Sequence, residues 1–365
     1  MALSILQANV GRARGAQDLL LQTMAECGCT LGIVAEPNHI PEKHSCWARD
    51  ETGSVAITWR WWRGAPTCTL LESGLHYVAV RWGTMVVVGV YFPPSGTLSD
   101  FEEWLDGLET CVRRLQTKPT LIAGDFNSWS RTWGSRRTGA RGKALEEWAA
   151  ELDLVLLNKG STATCVRTQG ESIIDLTWAS PSAARMVKSW KVMTDMEHLS
   201  DHRYILIRLE TPTAAKREGH RLEQRWALGK LDEDKLLASI TSAIWSKDNE
   251  TQEEEEANPL QEVEWLVKTM TKACNASMPR TKQKPRRSTY WWNEEISDLR
   301  REAIRHSRRV ARCKGNTTRR MEAMREYREA RKSLRTAIQR SKAAAWKELL
   351  QTLRKIHGDD HIKLS

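Results

Sequence analysis

"LIAGDFNSWS", residues 121–130, is a short apolar run that ends on a carboxylate and an amide. Leu121 to Gly124 are apolar or small, and Asp125 and Asn127 follow with one residue between them. Asp and Asn are common turn formers where strands end. Taken alone, the stretch therefore favours an ordinary turn, and the rest of the chain must decide whether it marks a functional site.

Runs of the same kind recur up to about residue 212. They are LSILQAN, LGIVAEP, GSVAITW, HYVAVRW, MVVVGVYF, TLIAGDF, DLVLLN, SIIDLTW and RYILIRLE. Helical patterns lie between some of these runs, at Asp100–Leu115 and at Lys143–Leu152. Short β-type runs mixed with amphipathic helices are typical of an α/β domain. We therefore predict one α/β domain over residues 1–212.

The texture of the chain changes after residue 212, where the β-type runs stop. Residues 213–289 are predicted to form a helical linker interrupted by the acidic stretch DNETQEEEEANP. Residues 290–365 are predicted to form a basic, mostly helical connector with a break at KGNTT.

The excess positive charge lies in the C-terminal quarter of the chain. Residues 281–365 carry 24 Lys and Arg against 10 Asp and Glu, although the whole chain has a net charge of only +10. Such a patch is typical of a segment that contacts the phosphates of a nucleic acid. The alternative is a helical hairpin that packs against a polymerase portion of a larger protein, and the residue pattern leaves both interpretations open.

The remaining composition indicates a soluble intracellular protein. The eight cysteines are scattered without a C-x-x-C pair, which argues against a disulfide framework and against a zinc ribbon. The N-terminal apolar run is too short for a signal peptide, and no apolar run reaches the length of a membrane span.

Polar residues stand at or near the ends of several predicted strands, which indicates a shared site. They are Asn9, Glu36, Tyr91, Asp125, Asn127, Asp175, Asp201 and His202. Clustered carboxylates repel one another unless a cation lies among them. Oxygen ligands without cysteine favour a hard cation such as Mg²⁺.

Each of these residues also has an ordinary structural explanation. Asn9 can be a turn former, Glu36 before a proline can be solvated, and Tyr91 can belong to the core. Asp175 inside SIIDLTW is the hardest to explain in this way, because a carboxylate in such a strand is costly without a partner. His198 and His202 have the i, i+4 spacing of a zinc pair, but the RYILIRLE run indicates a strand, and zinc is disfavoured.

Six motifs in this order resemble the endonuclease/exonuclease/phosphatase superfamily. They are QAN, VAEPN, VYFPPS, GDFN, SIIDLTWAS and LSDHR, and they cover roughly residues 1–210. Within that superfamily the chain is most similar to the apurinic-like endonuclease domain of arthropod non-LTR retrotransposons. The segments RWALGKLDEDKL, YWWNEEISDLRREA and RSKAAAWKELL resemble the connector that precedes the reverse transcriptase in such elements.

The resemblance implies a fold and a role for each site residue. The fold would be a four-layer α-β-β-α sandwich of two mixed sheets, followed by the basic helical connector. The implied metal ligands are Asn9 and Glu36, with Asp201 as a further or water-mediated contact. In the implied catalytic set, Asp125 activates the attacking water, Asn127 and Tyr91 bind the phosphate, and Asp175 orients His202, which stabilises the developing charge. The implied cofactor is Mg²⁺, with Mn²⁺ as a substitute.

The predicted function follows from the same resemblance. It is a Mg²⁺-dependent endonuclease that nicks one strand of double-stranded DNA and leaves a 3′-hydroxyl as primer for reverse transcription. The rivals are an abasic-site repair nuclease or small-phosphate phosphoesterase of the same fold, and an inactive nucleic-acid-binding fragment.

Two departures from the family pattern bear on specificity and metal number. Many relatives have His or Lys where this chain has Ser128–Ser130, and some repair relatives have an acid at the position of Gly11.

The expected location is the nucleus, for which KQKPRR at residues 282–287 is a weak signal. No polymerase motif occurs, so the chain is expected to be part of a larger polyprotein, with element RNA as a second partner of the basic region.

Overall fold

The computed structural model describes residues 3–41, 45–60, 66–167, 169–210, 226, 230–250, 259–279, 289–313 and 317–357. They divide into two compact units, Met1–Pro212 with Arg286–Ser365 and, separately, Thr213–Pro285. The connector predicted at 290–365 lies in the same compact unit as the α/β domain, and the predicted domain boundaries stay predictions. The predicted nuclear signal at 282–287 lies outside the described residues.

Two six-stranded mixed sheets form the centre of the larger unit. In spatial order the first contains β13 (Val187–Val192), β14 (Ile205–Leu209), β1 (Leu3–Asn9), β2 (Leu31–Ala35), β4 (Val55–Trp59) and β3 (Trp47–Arg49). The second contains β5 (Cys68–Gly74), β6 (Tyr77–Trp82), β7 (Met85–Tyr91), β8 (Thr120–Asp125), β12 (Asp175–Ala179) and β9 (Val155–Leu156). The pairs β1–β2 and β7–β8 are parallel and the other pairs are antiparallel. A separate hairpin joins β10 (Cys165–Arg167) to β11 (Gly170–Ser172).

Helices cover the outer faces of both sheets. They are α1 (Arg14–Cys27), α2 (Leu98–Leu115), α3 (Ala140–Glu151), α7 (Glu294–Arg312) and α8 (Thr317–His357), whereas the short α4 (Pro181–Ala184) packs Ala183 between the two sheets. The predicted helix at Asp100–Leu115 is confirmed as α2, whose first turn is closed by a capping box between Thr97 and Asp100. The smaller unit consists of α5 (Glu233–Glu250) packed against α6 (Pro259–Ser277).

Three hydrophobic clusters separate the layers, which confirms the predicted four-layer sandwich. One lies between the sheets and includes Ile33, Ile57, Val80 and Val87. The second lies between the second sheet and helices α2 and α3, and the third lies between the first sheet and helices α1, α7 and α8. Because both faces of each sheet are covered, the central strands are buried and mostly apolar.

A buried amide links the two sheets just behind the strand ends. Gln7 Nε2 donates to the carbonyl oxygens of Gly124 and Leu176, at 3.1 and 3.2 Å, and its Oε1 accepts from Thr177 Oγ1 at 2.9 Å. Gly124 itself has no room for a side chain, since an added Cβ would lie 1.8 Å from the carbonyl oxygen of Val90 on β7. These contacts fix the relative position of the strands that carry the site.

The basic connector packs onto the helical face of the first sheet. Four of its residues are buried in the third cluster: Trp291 just before α7, Ile296 of α7, and Leu334 and Ile338 of α8. The connector therefore packs against the α/β domain of the same chain, a partner that neither interpretation names. Contact with a nucleic acid and packing against a polymerase portion both stay predictions.

None of the described helices is long and apolar enough to cross a membrane.

Candidate active site

The strand register brings the predicted residues to one edge of the sandwich. Asp125 is the last residue of β8, and its cross-strand partners are Tyr91 on β7 and Asp175 on β12. In the first sheet, Asn9 ends β1 opposite the residue that precedes Glu36. The turn that LIAGDFN suggests is therefore also the point where both sheets present polar side chains.

Asn9 joins the two sheets through its side-chain amide. Its Nδ2 donates to Asp125 Oδ2 at 2.9 Å and to Glu36 Oε2 at 3.0 Å, while its Oδ1 accepts from the backbone N–H of Gly11 at 2.8 Å. Asn9 and Asp125 are buried, and Glu36 is partly exposed with a φ of +46°. The amide nitrogen of Asn9 thus donates to two carboxylates, that of Glu36 and that of Asp125.

Asp175 and His202 form the second buried pair. Nδ1 of His202 lies 2.9 and 3.1 Å from the two carboxylate oxygens of Asp175, and Thr164 Oγ1 accepts from the backbone N–H of Asp175 at 3.1 Å. Burial disfavours the imidazolium, but the charge of Asp175 and its hydrogen bond raise the pKa of His202 well above its usual value. A carboxylate bound at Nδ1 fixes the orientation of the ring and leaves Nε2 as the nitrogen for a substrate.

The two pairs meet in a buried group of three side chains of metal-ligating type. Asp125, Asp175 and His202 offer ligand atoms that all lie within 4.8 Å of one another. Burial first, and then the charge of Asp175, raise the pKa of Asp125 to about 7. A hard cation favours the ionised form of such carboxylates, and oxygen donors are the ligands it prefers.

Asn127 and Tyr91 complete the edge of the second sheet. Asn127 has a φ of +46°, its backbone N–H donates to Asp125 Oδ1 at 3.0 Å, and its Nδ2 donates to the carbonyl oxygen of Phe92 at 2.9 Å. Tyr91 is almost fully buried, and its pKa is raised by burial and then by the charge of Glu36.

Asp201 occupies a different position from the other predicted residues. It is exposed and pairs with Arg167, with 3.8 Å between Nε and Oδ2. It lines a cavity of about 220 Å³ together with Glu36 and His202. The predicted contact between Asp201 and a metal, and the role of each other site residue, stay predictions.

Sequence reasoning missed the residues that support the site from behind. Ser200 Oγ donates to the carbonyl oxygen of Asn9 at 2.7 Å and accepts from the backbone N–H of His202 at 3.2 Å. Gln7 was passed over although it stands two residues before Asn9 on a strand with buried faces. Its signal is a polar residue inside an apolar run, as for Asp175.

Part of the chain matches a family of known proteins. Residues 85–206, which include six of the eight predicted site residues, match one protein family. That family is the endonuclease-reverse transcriptase family. The match contains both carboxylates of the buried group and His202.

Two solved structures are similar to part of the chain. The endonuclease domain of TRAS1, a telomere-specific non-LTR retrotransposon, is 24% identical with a TM-score of 0.50, over 57% of this chain and 99% of that domain. The 3′ phosphatase NExo from Neisseria, bound to a product DNA hairpin, is 15% identical with a TM-score of 0.46, over 57% of this chain and 100% of that one. No curated protein sequence matches the chain.

The family match over residues 85–206 and the fold shared with the TRAS1 domain agree with the predicted resemblance to the endonuclease/exonuclease/phosphatase superfamily.

Proposed function

We propose that the protein is a Mg²⁺-dependent DNA endonuclease that nicks one strand of a duplex and leaves a 3′-hydroxyl for reverse transcription. The observation that carries the proposal is the meeting of the Asn9–Glu36–Asp125 chain and the Asp175–His202 pair at one edge of the sandwich.

Asn9 and Glu36 would hold the metal ion, which supplies a Lewis acid for the phosphate oxygens when bound. These residues offer amide and carboxylate oxygens, the donor set that Mg²⁺ prefers. Asp201, on the rim of the same cavity, is the further ligand or water-mediated contact in this proposal.

Asp125 would orient and deprotonate the attacking water. Its two oxygens already accept from Asn9 and from the backbone of Asn127, so its orientation is fixed. The raised pKa of a carboxyl in this position suits a group that takes up a proton from water.

His202, Asn127 and Tyr91 would bind the scissile phosphate. His202 as an imidazolium, held at Nδ1 by Asp175, can donate from Nε2 to a phosphate oxygen and stabilise the charge that develops there. Asn127 is held by Phe92, and Tyr91 stands beside Asp125 in the register.

The test offers the full chain three substrates: supercoiled plasmid, a duplex with one abasic site, and a small phosphate monoester. Mg²⁺-dependent conversion of intact plasmid to open circle, with ends that a DNA polymerase extends without treatment, is the expected result. Cleavage confined to the abasic duplex would refute the proposal in favour of a repair nuclease, and turnover of the monoester alone would refute it in favour of a phosphoesterase.

Nuclear action, association with element RNA and a polymerase portion of a larger polyprotein are further parts of the proposal. They rest on the retrotransposon resemblance of the motifs and connector.

A further inference from the structure

Four cations of α8 project along one face of the helix beside the catalytic cavity. Arg328, Arg331, Lys332 and Arg335 have i, i+3, i+4, i+7 spacing, which places them on one side of a helix. We call them the α8 cation cluster. Together they line a cavity of about 220 Å³ of their own.

This cluster continues into the catalytic cavity. Arg331 and Arg335 also line the cavity that contains Glu36, Asp201 and His202. Nη2 of Arg331 donates to the carbonyl oxygen of Ser200 at 3.2 Å, and Ser200 in turn donates to the backbone of Asn9. Arg331 is therefore linked through a single residue, Ser200, to Asn9, a proposed metal ligand.

The cluster also lies over the start of α1. A Cβ added to Gly15, in the first turn of that helix, would be 3.7 Å from Cγ of Arg335. The N-cap residue Ala13 makes no side-chain capping bond. The backbone N–H groups of this turn add positive potential on the same side as the cations.

The charges of the cluster are poorly compensated within the protein. Within the described residues, Arg331 is the one member of the α8 cation cluster that forms an ion pair. Its partner is Glu197, with 3.3 Å between Nε of Arg331 and Oε1 of Glu197. Arg328, Lys332 and Arg335 are exposed. Like charges at i, i+4 destabilise a helix. Their accumulation here indicates a surface that meets an anion.

Glu197 explains how α8 is held in this position. Its carboxylate accepts from the Tyr327 hydroxyl at 2.7 Å and from the backbone N–H of Leu199 at 2.8 Å, and its own carbonyl oxygen accepts from Arg300 of α7. The residue is almost fully buried and begins the loop that carries His202. The connector is therefore fastened to the catalytic loop itself.

We propose that the α8 cation cluster binds the phosphate backbone of the target duplex next to the scissile phosphate. The inference rests on the proposed endonuclease function, and it makes the connector part of the DNA-binding surface of the nuclease. The eight residues from Arg328 to Arg335 span about 10 Å of helix axis, close to the rise of three base pairs. A duplex whose scissile phosphate lies at His202 would pass this face.

The test is the salt dependence of duplex binding by the full chain. A fluorescent 30-base-pair duplex is titrated in EDTA, so that no strand is cut, at several salt concentrations. The variant R328Q/K332Q/R335Q keeps Arg331, because that residue also holds Glu197. The control variant R305Q/R320Q/K347Q removes the same charge from exposed positions that line neither cavity.

The cluster variant is expected to bind about tenfold more weakly at 0.1 M salt, and its log–log salt slope is expected to fall by about 2 to 3, close to 0.9 for each lost phosphate contact. The control should bind within about twofold of the unmodified chain. Equal effects of the two variants, or no effect of either, would overturn the inference. A loss confined to a single-stranded RNA probe would overturn it as well.

Binding in EDTA is independent of cleavage, so the two proposals fail separately. A chain that binds duplex through the cluster but never nicks it would refute the endonuclease function and retain the surface. If the unmodified chain nicks plasmid and the cluster variant binds duplex as tightly as the unmodified chain, only the proposed DNA contact of the α8 cation cluster is refuted.

Discussion

Asp175→Asn tests whether the buried carboxylate acts through His202. The substitution keeps the shape of the side chain but removes the charge that lies 2.9 Å from His202 Nδ1. A hydrogen bond to a charged group contributes about 1.5–3 kcal/mol, which corresponds to a loss of roughly 10- to 150-fold in kcat/KM.

We also expect Asp175→Asn to change the pH dependence of the nicking rate. Asp175 raises the pKa of His202, so the imidazolium is present below the folded pKa and is lost as the pH rises through it. Without the carboxylate that pKa falls, and the alkaline limb of the nicking rate should move to lower pH. A residue that only supports the fold would lower activity without moving this limb.

The assay is the initial rate of plasmid nicking by the full chain between pH 6 and pH 10. Asp106→Asn, the same change at an exposed position of α2, is the matched control and should leave the rate and the pH profile unchanged. Thermal unfolding of both variants checks the fold. Unmodified kcat/KM and an unmoved alkaline limb in Asp175→Asn would refute this account of His202.

Three further changes test the support of the site and its surroundings. Gln7→Leu leaves three buried groups without their hydrogen bond to Gln7, so the free energy of unfolding should fall by about 2–4 kcal/mol in urea titrations. An unchanged midpoint would contradict the inter-sheet link. Glu197→Gln weakens the attachment of α8, so limited proteolysis should cut the connector faster than in the unmodified chain; equal protection would contradict the attachment. Trp129 is 43% exposed with Arg137 5.2 Å from its ring, and Trp129→Ala should weaken duplex binding about fivefold or more without altering unfolding; unchanged binding would exclude this loop from the DNA surface.

The sandwich was predictable because its signals are local. Each strand of the core is an apolar run bounded by turn residues, and the capping box of α2 is readable at Thr97 and Asp100. The edge that collects Asn9 and Asp125 was predictable because polar residues that follow buried strands tend to share an edge.

The parts that escaped prediction depend on contacts between distant segments. Gln7 bonds with residues 117 and 169 positions away, and no local pattern indicates such partners. The docking of α8 depends on Glu197, more than 100 residues before it, whose carboxylate looks solvated in the sequence EHLSDHR. Asp201 in the same motif is exposed and paired with Arg167, a position that the motif alone does not reveal.

The central claim is that this edge hydrolyses phosphodiester bonds in DNA with the help of a divalent cation. The most direct measurement is nicking of supercoiled plasmid by the full chain with Mg²⁺ and with EDTA, beside His202→Ala and Asp125→Asn. We predict open circles only with the unmodified chain and Mg²⁺, and a loss of at least about 100-fold in each variant. Nicking that persists in EDTA or in either folded variant would contradict the claim, as would a folded unmodified chain that leaves every plasmid supercoiled.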